Sequence, residues 1–197
     1  MTLDSLMSNL VRELGPHEGK KVLLTANYIY LNKVIVCLLK YLLFIKHMKG
    51  VYIAVDRPYT YTSRLLEKQG IPQEHLFYLD AVSKISSEKF KEAKNAEQLD
   101  GPFCSFVLED AMARLTKSGG HCDDMNFVFL DNLTVMLSYM DEKCLYGFLG
   151  QFVIKLAKDG RMLTLTLVDK AAHPNVYTAA KKNCDIEIEI PGDWLRT

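Results

Sequence analysis

The sequence predicts an α/β domain built on a mostly parallel central sheet, with helices covering both faces. Three observations predict it. Apolar strand-like runs alternate with helical stretches along the chain, which is the pattern of a sheet wound with crossover helices. The runs KVLLTA, VYIAVD, NFVFLD and MLTLTLV are nearly continuous in apolar residues, as strands covered on both faces must be. The 197 residues suffice for one domain with a sizeable core and are short for two. Residues 1–197 are therefore expected to form a single domain.

The chain opens with Leu3, Leu6, Leu10 and Leu14 at helical spacing, so residues 1–19 are expected to hold a helical segment packed on the core. Strand Lys21–Ala26 follows, then helix Leu31–Met48. A helix lying on a sheet needs only one apolar stripe. This one carries Leu39, Tyr41, Leu42, Leu43 and Ile45 round most of its circumference, with Lys33, Lys40 and His47 along one narrow polar line. Its outer side needs a cover, either the N-terminal segment or another chain. The stretch Tyr28 to Ile45 holds eleven Ile, Leu, Val or Phe residues in eighteen, a gain of roughly 3 to 7 kcal/mol on membrane insertion. Lys33 and Lys40 cost up to about 2.5 to 3.5 kcal/mol each. The sum is near zero, and a strand-like run follows at once, so a buried helix is expected and no membrane.

Next come strand Gly50–Asp56, helix Tyr61–Gln69 and strand Leu76–Asp80. The polar stretch Lys84–Asp100 reads as a surface excursion. Helix Cys104–Lys117 precedes strand Asn126–Asp131. Helix Glu142–Lys158 is the clearest: Leu145, Phe148, Leu149, Phe152, Val153 and Leu156 make one stripe. Asp141 and Glu142 stand at its start and Gly160 just beyond its end, where helix-end chemistry places such residues. Strand Arg161–Val168 follows. The last candidate, Asp185–Ile190, alternates strictly as DIEIEI, which predicts a half-exposed edge strand.

Twenty-four basic residues balance twenty-four acidic ones, so there is no electrostatic footprint for nucleic acid, and no nucleic-acid partner is expected. Five scattered cysteines without a CxxC pair suit free thiols. With no basic-then-apolar leader at the start, a cytoplasmic location is expected. His121-Cys122-Asp123-Asp124 holds three metal-capable residue types but has no second cluster at ligand spacing, and reads as a turn. Tyr59, Tyr61 and Tyr78, beside strands, read as packing.

Three strands end in a carboxylate, Asp56, Asp80 and Asp131, at the sheet edge where open parallel sheets bind ligands. NFVFLDNLT, followed by an acidic turn and a long amphipathic helix, resembles the Walker B region of KaiC-like ATPases. GVYIAVDRP, a helix ending EKQGI, HLFYLDAVS and LDGPFCSFVLEDAMARL are similar to successive segments of the same family. In order and spacing they make a collinear resemblance to RecA/KaiC-like domains over roughly Lys21 to Val168. That resemblance implies a P-loop NTPase fold binding ATP with Mg²⁺. Its phosphate loop needs G-x-x-x-x-G-K-[ST], and here residues 27–34 read Asn-Tyr-Ile-Tyr-Leu-Asn-Lys-Val. Asn27 and Asn32 replace both glycines, Lys33 keeps the lysine position, and Val34 replaces the metal-binding hydroxyl. Asparagine tolerates positive φ, which leaves a related backbone open, while Tyr28, Ile29 and Tyr30 are expected to fill the phosphate space.

The remaining positions are carried over from the resemblance. Asp131 matches the aspartate that orients Mg²⁺, and is the metal candidate. Asp56 matches the catalytic acid that activates water, as a shorter carboxylate set more than about 1 Å back, a misplacement that can cost about 100-fold in rate. Arg57 stands where a second acid is usual. The leading expectation is a catalytically degenerate RecA/KaiC-like domain serving as a regulatory or interaction module, in signalling, with ATP and Mg²⁺ not tightly bound. Its partner is then another protein or a second copy of the chain. The alternative is an active ATPase using Lys33, Asp131 and Asp56. A nucleoside-cofactor transferase is a third reading, which lacks a G-x-G-x-x-G loop after Thr25.

Overall fold

A computed structural model of the chain describes residues 3–86, 90–99, 107, 110–114, 125–156 and 162–194. Seven strands form one all-parallel sheet: β1 (Lys21–Thr25), β2 (Gly50–Ala54), β3 (Leu76–Asp80), β4 (Ala96–Gln98), β5 (Phe127–Leu130), β6 (Leu163–Val168) and β7 (Ile186–Glu189). Their spatial order is β4-β3-β2-β5-β6-β1-β7. The helices are α1 (Leu3–Leu14), α2 (Leu31–Leu39), α3 (Tyr59–Lys68), α4 (Glu142–Leu156) and α5 (Pro174–Asn183). Residues 110–114 are also helical.

Strand side chains alternate between two cores. Val22, Leu24, Tyr52, Tyr78, Phe127, Phe129, Leu165 and Leu167 face α1, α2 and α3. Leu23, Val51, Ile53, Leu79, Val128, Leu130 and Val168 face α4, α5 and the helical residues near Ala111. Two-sided burial is why these strands read as continuous apolar runs rather than alternating ones. The edge strand β7 alternates because only one of its faces is covered, with Ile188 at 5% exposure and Glu189 exposed.

α2 is apolar all round for the reason the sequence suggests. Seven of its nine residues are buried, because α1 lies over its outer side with Leu6, Leu10 and Leu14 at 0%, 0% and 2% exposure. The stretch from Tyr28 to Ile45 is long and apolar enough to cross a membrane, and 56% of it is buried inside the fold. It is not one regular helix. A 3₁₀ turn (Tyr28–Tyr30) precedes α2, and a π-helical segment (Lys40–Ile45) follows it. His47 then takes a left-handed conformation (φ 51°), and the Met48 N–H reaches back to the Leu42 carbonyl at 2.9 Å, closing the helix end.

The polar stretch read as a surface excursion contains β4, an edge strand on β3. The helix α5 was absent from the sequence expectations. Most of Cys104–Lys117, and the cluster His121 to Asp124, lie outside the described residues. Among the described residues no group of three or more His, Cys, Asp or Glu is placed to hold a metal ion.

Because the sheet is all parallel, every strand's carboxyl end lies along one edge. β1 and β2 lead into helices on one face, and β5 and β6 into helices on the other. The chain therefore parts to opposite faces at two junctions, between β2 and β5 and between β6 and β1. Crevices at such junctions are where open α/β sheets bind ligands.

Candidate functional site

The two junctions hold all of the site residues expected from sequence. At the β6–β1 junction the chain leaves β1 and turns directly into the 3₁₀ turn. Asn27 caps that turn with φ −69° and ψ 136°, its side chain accepting the Ile29 N–H at 3.0 Å. The backbone is ordinary here: among the described non-glycine residues only His47 has positive φ, so the left-handed loop that asparagines could have supported does not form. The Tyr28 N–H donates to Asp169 Oδ2 at 2.9 Å. The Tyr30 N–H donates to the Asn27 carbonyl, and the Leu31 N–H to that of Tyr28. Four successive amides at the head of α2 thus have acceptors within the chain.

Asp169, at the end of β6, is the residue sequence reasoning missed. It is 9% exposed. While Oδ2 takes the Tyr28 N–H, Oδ1 accepts from the Ala171 and Ala172 amides at 3.0 Å each. One carboxylate thereby ties the first turn of its own loop to the loop after β1, in the position where a helix N-terminus would receive an anion. The signal was present: LTLVD ends in an acid as VYIAVD, FYLD and FVFLD do.

Of the three loop residues expected to fill the phosphate space, Tyr28 and Ile29 are exposed and Tyr30 is partly buried against the core. Ile29 is 82% exposed and Tyr28 46%. Asn32 is exposed and its amide donates to the Tyr61 hydroxyl at 3.1 Å. Lys33 is half-buried on the first turn of α2. Val34 is wholly buried.

At the β2–β5 junction Asp56 and Asp131 come together. Asp131 is 2% exposed. Its Oδ1 accepts the Val55 N–H at 3.0 Å and its Oδ2 the Tyr52 hydroxyl at 2.8 Å. When Asp131 is ionised, Tyr52 gives its one proton to Asp131 and the Thr62 hydroxyl 3.1 Å away donates to Tyr52. Burial, opposed by the Val55 and Tyr52 hydrogen bonds and supported by Asp56, raises the Asp131 pKa to about 7. Asp56 is also raised, by burial, against the pull of Arg57 4.0 Å away. Asn132 lies buried beside Asp56, and its Nδ2 makes no hydrogen bond of ordinary geometry.

Arg57 bridges the two junctions. Its guanidinium is held by Tyr28 and stacks 4.6 Å from the centre of the Tyr61 ring. Asp80, the third strand-ending acid, has a structural task instead. Wholly buried, it accepts from the amides of Tyr59, Val82 and Ser83 and from the Ser83 hydroxyl, at 2.7 to 3.0 Å. Tyr59 and Tyr78 pack against each other with ring centres 5.2 Å apart, both buried.

Over the carboxyl ends of β6, β1 and β7 lies a groove of about 620 Å³, lined by Thr25 to Asn27, by Asp169 to Ala171 and the first turns of α5, and by Glu189 to Gly192. Lys170 crosses one wall to Glu189 at 3.2 Å.

No protein-family model and no curated protein matches the chain. Solved structures do. An uncharacterised protein of Pyrococcus horikoshii, crystallised with an unknown peptide, superposes with a TM-score of 0.68 at 12% identity, over 92% of this chain and 82% of that one. A KaiC-like protein of the hyperthermophilic archaeon Pyrococcus horikoshii OT3 superposes with a TM-score of 0.62, also at 12% identity, over 88% and 74%. At that identity the likeness concerns fold: the chain is a single α/β domain with the RecA-like architecture of a KaiC-like protein.

Proposed function

We propose that this chain is a catalytically degenerate RecA/KaiC-like domain that works as a regulatory or protein-interaction module and does not turn over ATP. The observation that carries the reading is the Asp169 carboxylate on the Tyr28 amide. A phosphate loop works by offering several free N–H groups to an anion, and here the four from Tyr28 to Leu31 are taken internally. Bringing a phosphate beside Asp169 would also set like charges together. Asp131, the matching metal aspartate, spends both oxygens on Tyr52 and Val55, and Val34 has no hydroxyl. A peptide bound to a protein of the same fold supports a protein partner for this one.

The test is thermal unfolding with ATP, ADP and Mg²⁺, with phosphate release measured in parallel for the wild type and Asp131→Asn. A ligand at 100 times its Kd would stabilise by about 2.7 kcal/mol, a rise of roughly 5 to 11 °C for a domain of this size. The expected outcome is no shift, with any phosphate release unchanged by the substitution. A shift of that size, with steady turnover that Asp131→Asn abolishes, would establish the active ATPase instead.

A further inference from the structure

We propose that the carboxyl edge of the sheet is a homodimer interface, in which Ile29 of each copy enters the groove beside β1 of the other. This deepens the reading as an interaction module by naming the partner, and it rests on that reading for nothing else. Ile29 is the most exposed large apolar side chain among the described residues, at 82%, and its neighbour Tyr28 is 46% exposed. They stand on a turn whose backbone is held by three hydrogen bonds. Asp169 holds the Tyr28 amide at 2.9 Å, Asn27 caps the Ile29 amide at 3.0 Å, and the Tyr30 amide returns to the Asn27 carbonyl at 2.9 Å. The backbone under the knob is therefore held, and the knob is apolar and exposed, so docking it requires little further ordering of the chain.

The receptor for such a knob lies beside it. Asn27 forms part of the groove wall, two residues before Ile29. Ala26, Ala171, Pro174, Ile190 and Pro191 give the groove a mainly apolar lining. The chain's own Ile29 is 82% exposed and does not line it, which leaves the groove open to a second copy's Ile29. A knob and a hole side by side on one surface make a self-complementary patch, which is what a twofold interface requires: each knob fills the partner's hole.

The charges agree. Lys170 with Glu189 and Arg57 with Asp56 pair opposite signs around the patch, and the whole chain is neutral. Two copies can face each other without like-charge repulsion. Tyr and Arg beside an apolar anchor are also the residue types that dominate interface energetics.

The experiment is sedimentation equilibrium of the nucleotide-free chain from micromolar to millimolar concentration, for wild type, Ile29→Asp and Ala171→Trp. Both substitutions are at exposed positions, and far-UV circular dichroism with the thermal midpoint controls for folding. The wild type is expected to dimerise. Each variant should weaken the dimer about 30-fold or more, the threshold of an interface hot spot. Mixing the two variants should restore part of the dimer, because Ile29 of the Ala171→Trp chain still meets an open groove on the Ile29→Asp chain. A wild type that is monomeric throughout would overturn the proposal. So would a dimer or ring that neither variant weakens, or a mixture no stronger than either variant alone. Because no nucleotide is present, none of these outcomes bears on the ATP test.

Discussion

Asp131 is the residue whose chemistry departs furthest from what its position in the sequence suggests. A strand-ending aspartate facing solvent would ionise near pH 4. Here burial raises it to about 7, and its two oxygens are fixed by Val55 and Tyr52. Between those two values the folded chain holds a proton that the unfolded chain has released. Stability from this group is therefore complete at low pH and is lost as pH rises through about 7, with a slope of at most about 1.4 kcal/mol per pH unit. Asparagine fits the same place without titrating: Oδ1 accepts from Val55, Nδ2 donates to Tyr52, and Tyr52 turns its proton to Thr62. Urea unfolding of wild type and Asp131→Asn across about pH 5 to 8 should show the wild type losing ground to the variant as pH rises. Parallel curves would mean that Asp131 is already ionised in the fold. Asp56 and Asp131 could be picked out from sequence because each ends an apolar strand-like run, and Lys33 only through the resemblance to a phosphate loop. The task of Asp169 could not, because it depends on two loops 141 residues apart meeting at one carboxylate.

At the scale of elements, what could be read was what burial writes into a pattern. β3 spans Leu76–Asp80 as expected, and the other expected strands begin or end a residue or two inside their apolar runs. β4 escaped notice because Ala96, Glu97 and Gln98 have neither alternation nor β propensity. It is held by its surroundings: the Tyr78 amide donates to the Asn95 carbonyl, Asn95 Nδ2 to the Leu76 carbonyl and the Leu99 amide to the Asp80 carbonyl, at 2.8 to 3.0 Å. α5 escaped because only Val176 and Ala180 are fully buried among polar neighbours, although Pro174 at its first turn is a start signal. The switch from α to π winding at Lys40 left no mark in the apolar pattern, and Tyr41, Leu42 and Leu43 are buried in the π segment. The excess of apolar residues on α2 was the more informative signal, because it required a cover and α1 supplies one. Leu10, on α1, is wholly buried in the core that α1 and α2 share. Leu10→Ala should cost about 2 to 5 kcal/mol by removing buried methyl groups and leaving a cavity. Equilibrium denaturation measures it, and a loss under about 0.5 kcal/mol would mean that α1 is not part of the cooperative fold.

At the scale of the whole molecule, fold class was readable because an all-parallel sheet buried on both faces leaves few other patterns of apolar runs. Strand order was not, since it is decided by which crossover goes to which face. The consequence of that order is that every strand from β3 to β1 contributes side chains to both cores. Removing volume from one face must therefore strain the strands that support the other, and the domain should unfold as one unit. The chain has a single tryptophan, Trp194, packed against the core on the α1 and α2 face. Leu149, on α4, is 1% exposed in the opposite core. Leu149→Ala removes nothing that Trp194 touches and should still cost about 2 to 5 kcal/mol, lowering the thermal midpoint by roughly 4 to 20 °C. Circular dichroism follows all the helices and strands, while Trp194 fluorescence follows one face only. If the two cores are one cooperative unit, both signals fall at the same lowered temperature in the variant. If Trp194 kept its wild-type midpoint while the dichroism moved, the sheet would be transmitting nothing between its faces, and the α1 and α2 face would be a folding unit in its own right.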